Sequence, residues 1–571
     1  MRSDLRGWRP VAVATSLASG LLAATALGCA AGRPAGPRPP PADVEQKAPG
    51  TGPAPVLVVA FDGLGAGFRG PQGVFRGVNP SDNTLAVGPD HIVQIVNTRM
   101  AVFTKQGRRF DSTGRVLYGP VPTNNVFRGF GGPCEAHDNG DAVVRYDQLA
   151  NRWLIVMPIF FRLPYVEGQP TGTRPGDPAA VSVPANPGQP GPATPLFQPP
   201  ATTDTTPPPR GERHPSEPED TTSPPGIYAM CYAVSTSSDP LGSYYRYEFL
   251  RPYFPDYPRP AVWPDGYYVP TSTSDNRISA TVATQKQACV VERERMLEGR
   301  PASEQCVVLE NVNFLNDADL DGTRLPPKGA PNIILAAGGR QLDSIFEDSV
   351  VYAWRFHVDW KHPARTRVDG PQAIPVASYH YLCNGQLTNC VPQPGTDRRL
   401  DAQGDKIMQR VVYRRIGDQE SIVAVHSVNT STGGGGVRWY ELRVGKDGQL
   451  RPYQQGTYLA DGRYRWMASP AMDRLGNIGI GYSFGGPSEF AGQRFAGRRP
   501  GDPLGQLALA ETVLAEGAAA QIGTMRWEDF AQTAVDPSDD CTIWYVGDYL
   551  QAGATTYSTR IGAFRMPGCG P

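Results

Sequence analysis

Little in this sequence is charged in one direction. Lys and Arg number 54 against 55 Asp and Glu, a formal net charge of −1, and no basic stripe interleaves with aromatics. Nucleic acid is thereby excluded as a partner, because phosphate binding needs clustered cations. Histidine is scarce: seven residues (91, 137, 214, 357, 362, 380 and 426) lie scattered, with neither an HExxH spacing nor a Cys/His pair suited to tetrahedral zinc. No zinc enzyme is indicated. Long apolar runs are missing as well. The best, residues 11–28, is too short and too weakly apolar for a comfortable membrane span.

Two motifs lack the context that would give them chemistry. Gly65-Ala66-Gly67-Phe68-Arg69-Gly70 satisfies GxGxxG, but a dinucleotide site needs a helix opening there to hold the pyrophosphate, and Pro71 and Gly73 follow instead. Gly481-Tyr482-Ser483-Phe484-Gly485 satisfies GxSxG. A nucleophile elbow needs a strand-to-helix turn, which Gly486-Pro487 does not open. Both are expected to be loop or strand glycines.

What is present begins with an export signal. Arg2, Arg6 and Arg9 precede the apolar run, which ends in small residues. Ala26-Leu27-Gly28-Cys29 resembles a bacterial lipobox, which implies cleavage after residue 28, lipidation of Cys29 and a lipid anchor in the cell envelope, at the outer membrane; a plain secretory signal cut near Ala31 is the alternative. Residues 29–54 are a Pro/Gly-rich tether with too few large apolar groups to fold. Beyond Cys29 eight cysteines remain, an even number suited to an oxidising compartment. Proximity pairs Cys383 with Cys390 and Cys541 with Cys569, leaving Cys289–Cys306 and Cys134–Cys231. A second Pro- and Thr-rich stretch, 166–225, has no apolar periodicity and reads as a disordered insertion. Its flanks look like buried strands, so it interrupts one structural unit of the domain spanning 55–571.

That domain is organised by a repeat. Strand–turn–strand segments occupy 83–97, 141–158, 258–272, 406–427, 466–483 and 530–546, each two short strands about a Gly/Pro/Asp turn. Turn anchors Pro89, Asp147, Pro264, Gly417, Asp473 and Asp536 are spaced by 58, 117, 153, 56 and 63 residues. Subtracting the insertion brings 117 to one period, and a further unit at 331–356 divides 153. Aromatic segments 244–250, 350–356, 437–444 and 560–566 read as third strands. Seven units with a period of about 60 residues predict an all-β fold, a single β-propeller of seven blades with three to four antiparallel strands each.

The strings AVDPSDDCTIWY, RWMASPAMDRLGNIGIGYS and GDAVVRYDQLANRWL resemble a group of uncharacterised secreted bacterial proteins. More distantly they are similar to the Asp-box hairpins of sialidase-type propellers. The resemblance covers most of 80–570 and implies the fold; the group brings no activity with it, and the full Asp-box pattern is nowhere complete.

Polar residues stand just before the first strand of most units. Asp82, Asp138, Asp141, Asp256, Asp405, Arg465, Trp466, Arg526, Trp527 and Asp529 would converge on one rim of a propeller as a ligand site. The same residue types also make turns and satisfy backbone N–H groups. Asp317, Asp319 and Asp321, followed by Gly322, resemble the opening of a calcium loop, but Lys328 stands where an EF-hand has Glu, and Pro326-Pro327 forbid its exiting helix. An acidic turn and an irregular Ca²⁺ site both remain. The expected function is non-catalytic binding of a glycan or envelope protein at the rim by a monomer. A glycan hydrolase using rim carboxylates as acid and base is the alternative.

Overall fold

A computed structural model describes residues 44–571 except 78, 162, 164–193, 196–227, 252, 273–284, 339–347, 386–388, 460 and 571. The export signal, Cys29 and nearly all of the 166–225 insertion lie outside the described residues.

The chain is mostly β and builds one antiparallel sheet after another. The first sheet is Thr84–Val87, His91–Val96, Arg99–Thr104 and Val116–Pro122; the second is Val143–Asp147, Arg152–Pro158, Tyr228–Ser235 and Ser243–Arg251. The third comprises Ala261–Trp263, Gly266–Tyr268, Gln285–Val291 and Glu304–Glu310; the fourth, Asn316–Leu320, Asn332–Ala337, Asp348–His357 and Arg367–Tyr379. The fifth contains Val411–Ile416, Gln419–Asn429, Gly435–Val444 and Leu450–Tyr458; the sixth, Tyr464–Met472, Ile478–Gly485, Gly492–Arg498 and Thr512–Ala515. The seventh has Gln532–Val535, Thr542–Tyr549 and Ser558–Arg565, completed by Val56–Asp62 from the other end of the chain. Each first strand lies beside the next, and the seventh sheet's lies beside the first's. The fourth and fifth first strands even pair in parallel, Ala318–Leu320 with Val411–Tyr413. The result is propeller-like.

The repeat has a local cause. Asp147, Asp473 and Asp536 each sit at the first hairpin turn and accept backbone N–H groups two to four residues on. Leu149 and Ala150 donate to Asp147 Oδ1 at 3.0 and 3.1 Å, Leu475 and Asn477 to Asp473 Oδ1 at 2.9 and 3.0 Å, and Ser538 to Asp536 Oδ1 at 2.9 Å. An Asp side chain there supplies the acceptor that the turn takes away from those N–H groups. Inner strands are buried on both faces, which is why HIVQIV and VVRYD read as runs without clean alternation.

Apolar side chains fill the space between successive sheets. Ala86, Val93 and Tyr118 of the first meet Val144, Tyr146 and Trp153 of the second, and Leu85, Val87 and Ile92 meet Trp544, Val546 and Ile561 of the seventh. Each large side chain so buried contributes about 1.5–3 kcal/mol. Between the sixth and seventh sheets the approach is close at Gly481. A Cβ there would lie 2.4 Å from the Tyr545 ring, so only glycine fits. This accounts for the GxSxG spacing: Ser483 is a buried strand residue and no elbow forms.

Three features differ from the sequence expectation. Asn316–Leu320 is a buried first strand, not a turn, and it starts the fourth unit ahead of 331–356. Segment 244–250 is the fourth strand of its sheet, since 228–235 is the third. The tether docks before residue 54: Glu45–Gln46 pairs in parallel with Thr457–Tyr458, and the Gln46 amide oxygen accepts from Leu507 N–H at 2.8 Å. Composition cannot anticipate this, because the attachment is made by backbone and by the polar side chains of Glu45 and Gln46 rather than by apolar burial.

Arg152–Pro158 pairs antiparallel with Tyr228–Ser235, so the strands on either side of 166–225 are neighbours in one sheet. All four expected disulfides form: Cys134–Cys231, Cys289–Cys306, Cys383–Cys390 and Cys541–Cys569. They fit an extracellular or periplasmic protein. Among the described residues no helix is long and apolar enough to cross a membrane.

Candidate functional site

Where the first strands begin, the chain enters them through residues held in unusual backbone conformations. Asp82, Tyr257, Gln403, Met467, Glu528 and Asp529 have φ of 45°, 56°, 45°, 50°, 60° and 69°. None is glycine, and left-handed φ costs such residues about 1–3 kcal/mol each, a cost that persists only where surrounding structure enforces it. Four of the seven lead-ins carry this feature, Met467 lying instead inside Tyr464–Met472, and Asp82, Tyr257 and Gln403 gather around Asp529.

One side of the meeting place is acidic. Asp82 is 1 % exposed and accepts from Asn97 Nδ2 at 2.5 Å, while its N–H donates to Glu528 O at 2.7 Å. The Asp141 carboxyl is within hydrogen-bonding reach of it. Burial raises both acids well above the ordinary carboxylate range. Asp141 and Asp529 add to this at Asp82, and Asp256 and Asp529 at Asp141, with Arg526 opposing both. Arg526 is committed elsewhere: its Nε lies 3.0 Å from Asp401 Oδ2, and its Nη2 pairs with Asp529 Oδ2. Gln403 Nε2 donates to Asp529 Oδ1 at 2.8 Å and the Trp527 N–H to Asp401 Oδ1 at 3.0 Å. Burial pushes Asp401 up to about 7 despite Arg526.

The other side is cationic and aromatic. Arg259 stands 4.1 Å over the Tyr257 ring, and Lys406 Nζ is 4.5 Å from the Phe314 centroid, with Lys286 Nζ at 5.5 Å. Lys406 pairs with Asp405 Oδ1 at 2.5 Å. Tyr257 stacks on Phe530 at 4.3 Å and donates its hydroxyl to Asp529 O at 2.6 Å, which joins the two sides. Lys286 reaches in from the third strand of its sheet because the first two are only three residues long. Burial lowers it to about 7, against Asp405 and Asp256, which hold it up.

The structure thus brings together Asp82, Asp141, Asp256, Asp405, Arg526 and Asp529 from five sheets. It does not bring in the others. Asp138 is tied to Arg99 at 2.8 Å. Arg465 is buried between Asp461 and Glu511, with Nη1 on Leu459 O at 2.7 Å. Trp466 and Trp527 are corrections: both are 0 % exposed, 6.3 Å apart in the core between the fifth, sixth and seventh sheets, and Trp527 Nε1 donates to Ser483 Oγ at 2.9 Å. Their faces are covered by neighbouring sheets and offer no stacking platform. Residues that sequence reasoning passed over are Asp401, Gln403, Lys286 and Lys406. Gln403 and Lys406 flank Asp405 in the string DAQGDK, which was the one available signal.

Asp319 and Asp321 face arginines. Arg410 Nε lies 2.8 Å and Arg145 Nε 3.5 Å from Asp319 Oδ2, Arg410 also pairs with Asp321, and the Val262 N–H donates to Asp319 Oδ1 at 2.9 Å. Asp319, with Arg145 and Arg410, lines a cavity inside the circuit of first strands together with Leu85, Tyr146 and Gln532. Asp317 is buried nearby in sequence, with burial raising it well above the usual carboxylate range. The three do not share the loop that a calcium site of that pattern would use.

The described residues define an all-β, propeller-like domain with a buried acid–base cluster at one end of its inner strands. No protein-family model matches the chain. Curated proteins give no match either. Among solved structures it is distantly similar to a protein of unknown function from Dyadobacter fermentans DSM 18053, at 9% identity and TM-score 0.34, covering 90% of this chain and 100% of that one. Trypanosoma rangeli sialidase, solved with 2,3-difluorosialic acid, gives 10% identity and TM-score 0.31 over 76% of this chain and 57% of that one. A xylan beta-1,4-xylosidase from Bacillus halodurans C-125 gives 8% and 0.27, over 86% and 96%. Likeness at that level carries no activity across.

Proposed function

We propose that the domain is a seven-bladed β-propeller that binds a glycan, without cleaving it, at the end of the channel where the first strands begin. One observation carries the reading: polar side chains from five lead-ins meet there, and Asp141, Asp256 and Arg526 keep part of their surface open to solvent. Carboxylates beside cations suit the hydroxyls of a sugar, accepting from some and donating to others.

The way the carboxyls are held speaks against cleavage. Glycoside hydrolysis uses two carboxyls about 5–5.5 Å apart, or farther when a water stands between. Asp82 and Asp141 are within hydrogen-bonding reach of each other, and Asp401, Asp405 and Asp529 are engaged by Arg526, Lys406 and Gln403. The protein is further proposed to be exported and lipid-anchored through Cys29, acting as a monomer.

A panel of neutral and acidic oligosaccharides, with binding and product release followed together, tests this. Binding without products is expected, and Asp256→Asn should weaken it at least tenfold with an unchanged melting midpoint. Release of shortened sugars would instead establish the hydrolase. No binding across the panel would remove the glycan reading.

A further inference from the structure

We propose that the end of the domain opposite the first-strand lead-ins docks on an anionic lipid surface, through the corner formed by the fourth, fifth and sixth sheets. The inference does not depend on glycan binding, and it holds with or without a lipid on Cys29.

At that end each first strand turns into the second, and four aliphatic side chains stand in solvent on four separate connections. Leu325, Ile416, Leu475 and Leu504 are 47 %, 37 %, 48 % and 56 % exposed. They are neighbours. Arg415 Nη1 donates to Leu325 O at 3.2 Å. A Cβ on Gly476, next to Leu475, would lie 3.2 Å from Ile416 Cδ1 and 3.4 Å from Pro500 Cγ, in the connection that carries Leu504. A lone exposed Leu needs no explanation, whereas a group of them marks a contact surface.

Charge identifies the partner. Arg324, Arg415 and Arg474 directly precede Leu325, Ile416 and Leu475, and Lys328 closes the first of these turns. Asp418 is already paired, 3.3 Å from Arg415 and 3.9 Å from Arg324, and so is Asp502, 2.9 Å from Arg499. Arg474 and Lys328 are exposed and have no ion-pair partner among the described residues. Cations alternating with aliphatic groups match a bilayer surface, where the cations meet lipid phosphate and the aliphatic groups pass between headgroups. A folded partner would need a surface shaped to four separate projections; fluid lipid does not. The path of the chain agrees. Glu45–Gln46 runs parallel to Thr457–Tyr458, the end of a fourth strand heading for the lead-ins, so the chain enters the domain travelling away from the turn end.

Depth in the bilayer tests this. The full-length protein, as its own cell produces it, is mixed with vesicles of phosphatidylcholine and phosphatidylglycerol carrying brominated acyl chains. Leu475→Trp and Leu504→Trp report on the corner. Ser488→Trp reports on the lead-in end, in the turn between the second and third strands of the sixth sheet. Ile478–Gly485, eight residues at about 3.3 Å each, separates residues 475 and 488 by roughly 25 Å. Bromine quenching above the wild-type background is expected in Leu475→Trp and Leu504→Trp and not in Ser488→Trp. Omitting phosphatidylglycerol, or replacing Arg324, Lys328 and Arg474 together by Gln, should reduce that quenching about tenfold. Should one corner variant not fold, the other carries the comparison. Equal quenching at the two ends, none at the corner, or quenching unchanged by the triple Gln replacement would each overturn the proposal. So would an unquenched corner in a protein whose sedimentation mass doubles with concentration, which would assign the face to a second copy.

Discussion

Replacing Trp527 by Ala separates a core residue from a ligand platform. The indole is wholly buried against Trp466, between sheets that cannot close over the space it would leave. Truncating a buried Trp costs about 3–5 kcal/mol, with the upper end applying where surroundings relax least. Loss of the Nε1 donor adds little, because Ser483 Oγ still accepts from Gln493 Nε2 at 2.9 Å and donates to Glu528 at 3.0 Å. An unfolding entropy of about 2.1 cal/mol/K per residue, over roughly 450–500 folded residues, gives about 1 kcal/mol/K. The midpoint of Trp527→Ala should therefore fall by about 3–5 °C in a calorimetric scan, and that of Trp527→Phe by less than half as much. Urea unfolding at unchanged slope gives the same difference independently. A Trp527→Ala protein that melts within 1 °C of wild type, by that same entropy scale, would refute the burial argument and return Trp527 to the rim.

Other consequences follow from the same contacts. Arg410→Met leaves Asp319 and Asp321 short of their shared partner and should cost about 3–5 kcal/mol in urea unfolding, more than the triple replacement of all three by apolar residues. Asp548 is pushed up to about 8 by burial, so the folded state holds a proton that the unfolded chain releases near pH 4. Its contribution is present in full below that value and is lost as pH rises toward 8, by about 1.4 kcal/mol per pH unit; in melts across this window Asp548→Asn should flatten the decline. Reducing Cys541–Cys569, which closes a separation of 28 residues, should cost about 3–4 kcal/mol and expose the seventh sheet first. Limited proteolysis should then cut after residue 540 before elsewhere, and uniform digestion would count against it.

Hairpin periodicity was legible because its cause is local: each turn Asp binds backbone within four residues. Of the six Asp residues picked out before first strands, five meet at one end of the inner strands, while Asp138 is tied to Arg99. What failed was long-range. NDADL looks like a turn to any reading of neighbours, and becomes a buried strand only because Arg145 and Arg410, from other sheets, meet its charges. Trp466 and Trp527 stand in the same sequence context as Arg526, and nothing nearby says which way an indole turns. Lys286 belongs to a third strand, so its arrival at the site depends on how short the two strands before it are.

The pairing of Val56–Asp62 with Ser558–Arg565 sets a clock on synthesis. The early strand emerges roughly 500 residues ahead of its partner, and at about 5–20 residues per second the wait is on the order of 25–100 s. During that interval VLVVAFD is an apolar strand with both backbone edges open, the kind of segment that pairs with other chains. Its neighbours offer temporary cover: residues 44–52 have their own docking places at Thr457–Tyr458 and Leu509, which are complete before Ser558 exists. The chain can therefore hold its own leading end against the fifth and sixth sheets while the last one is still being made.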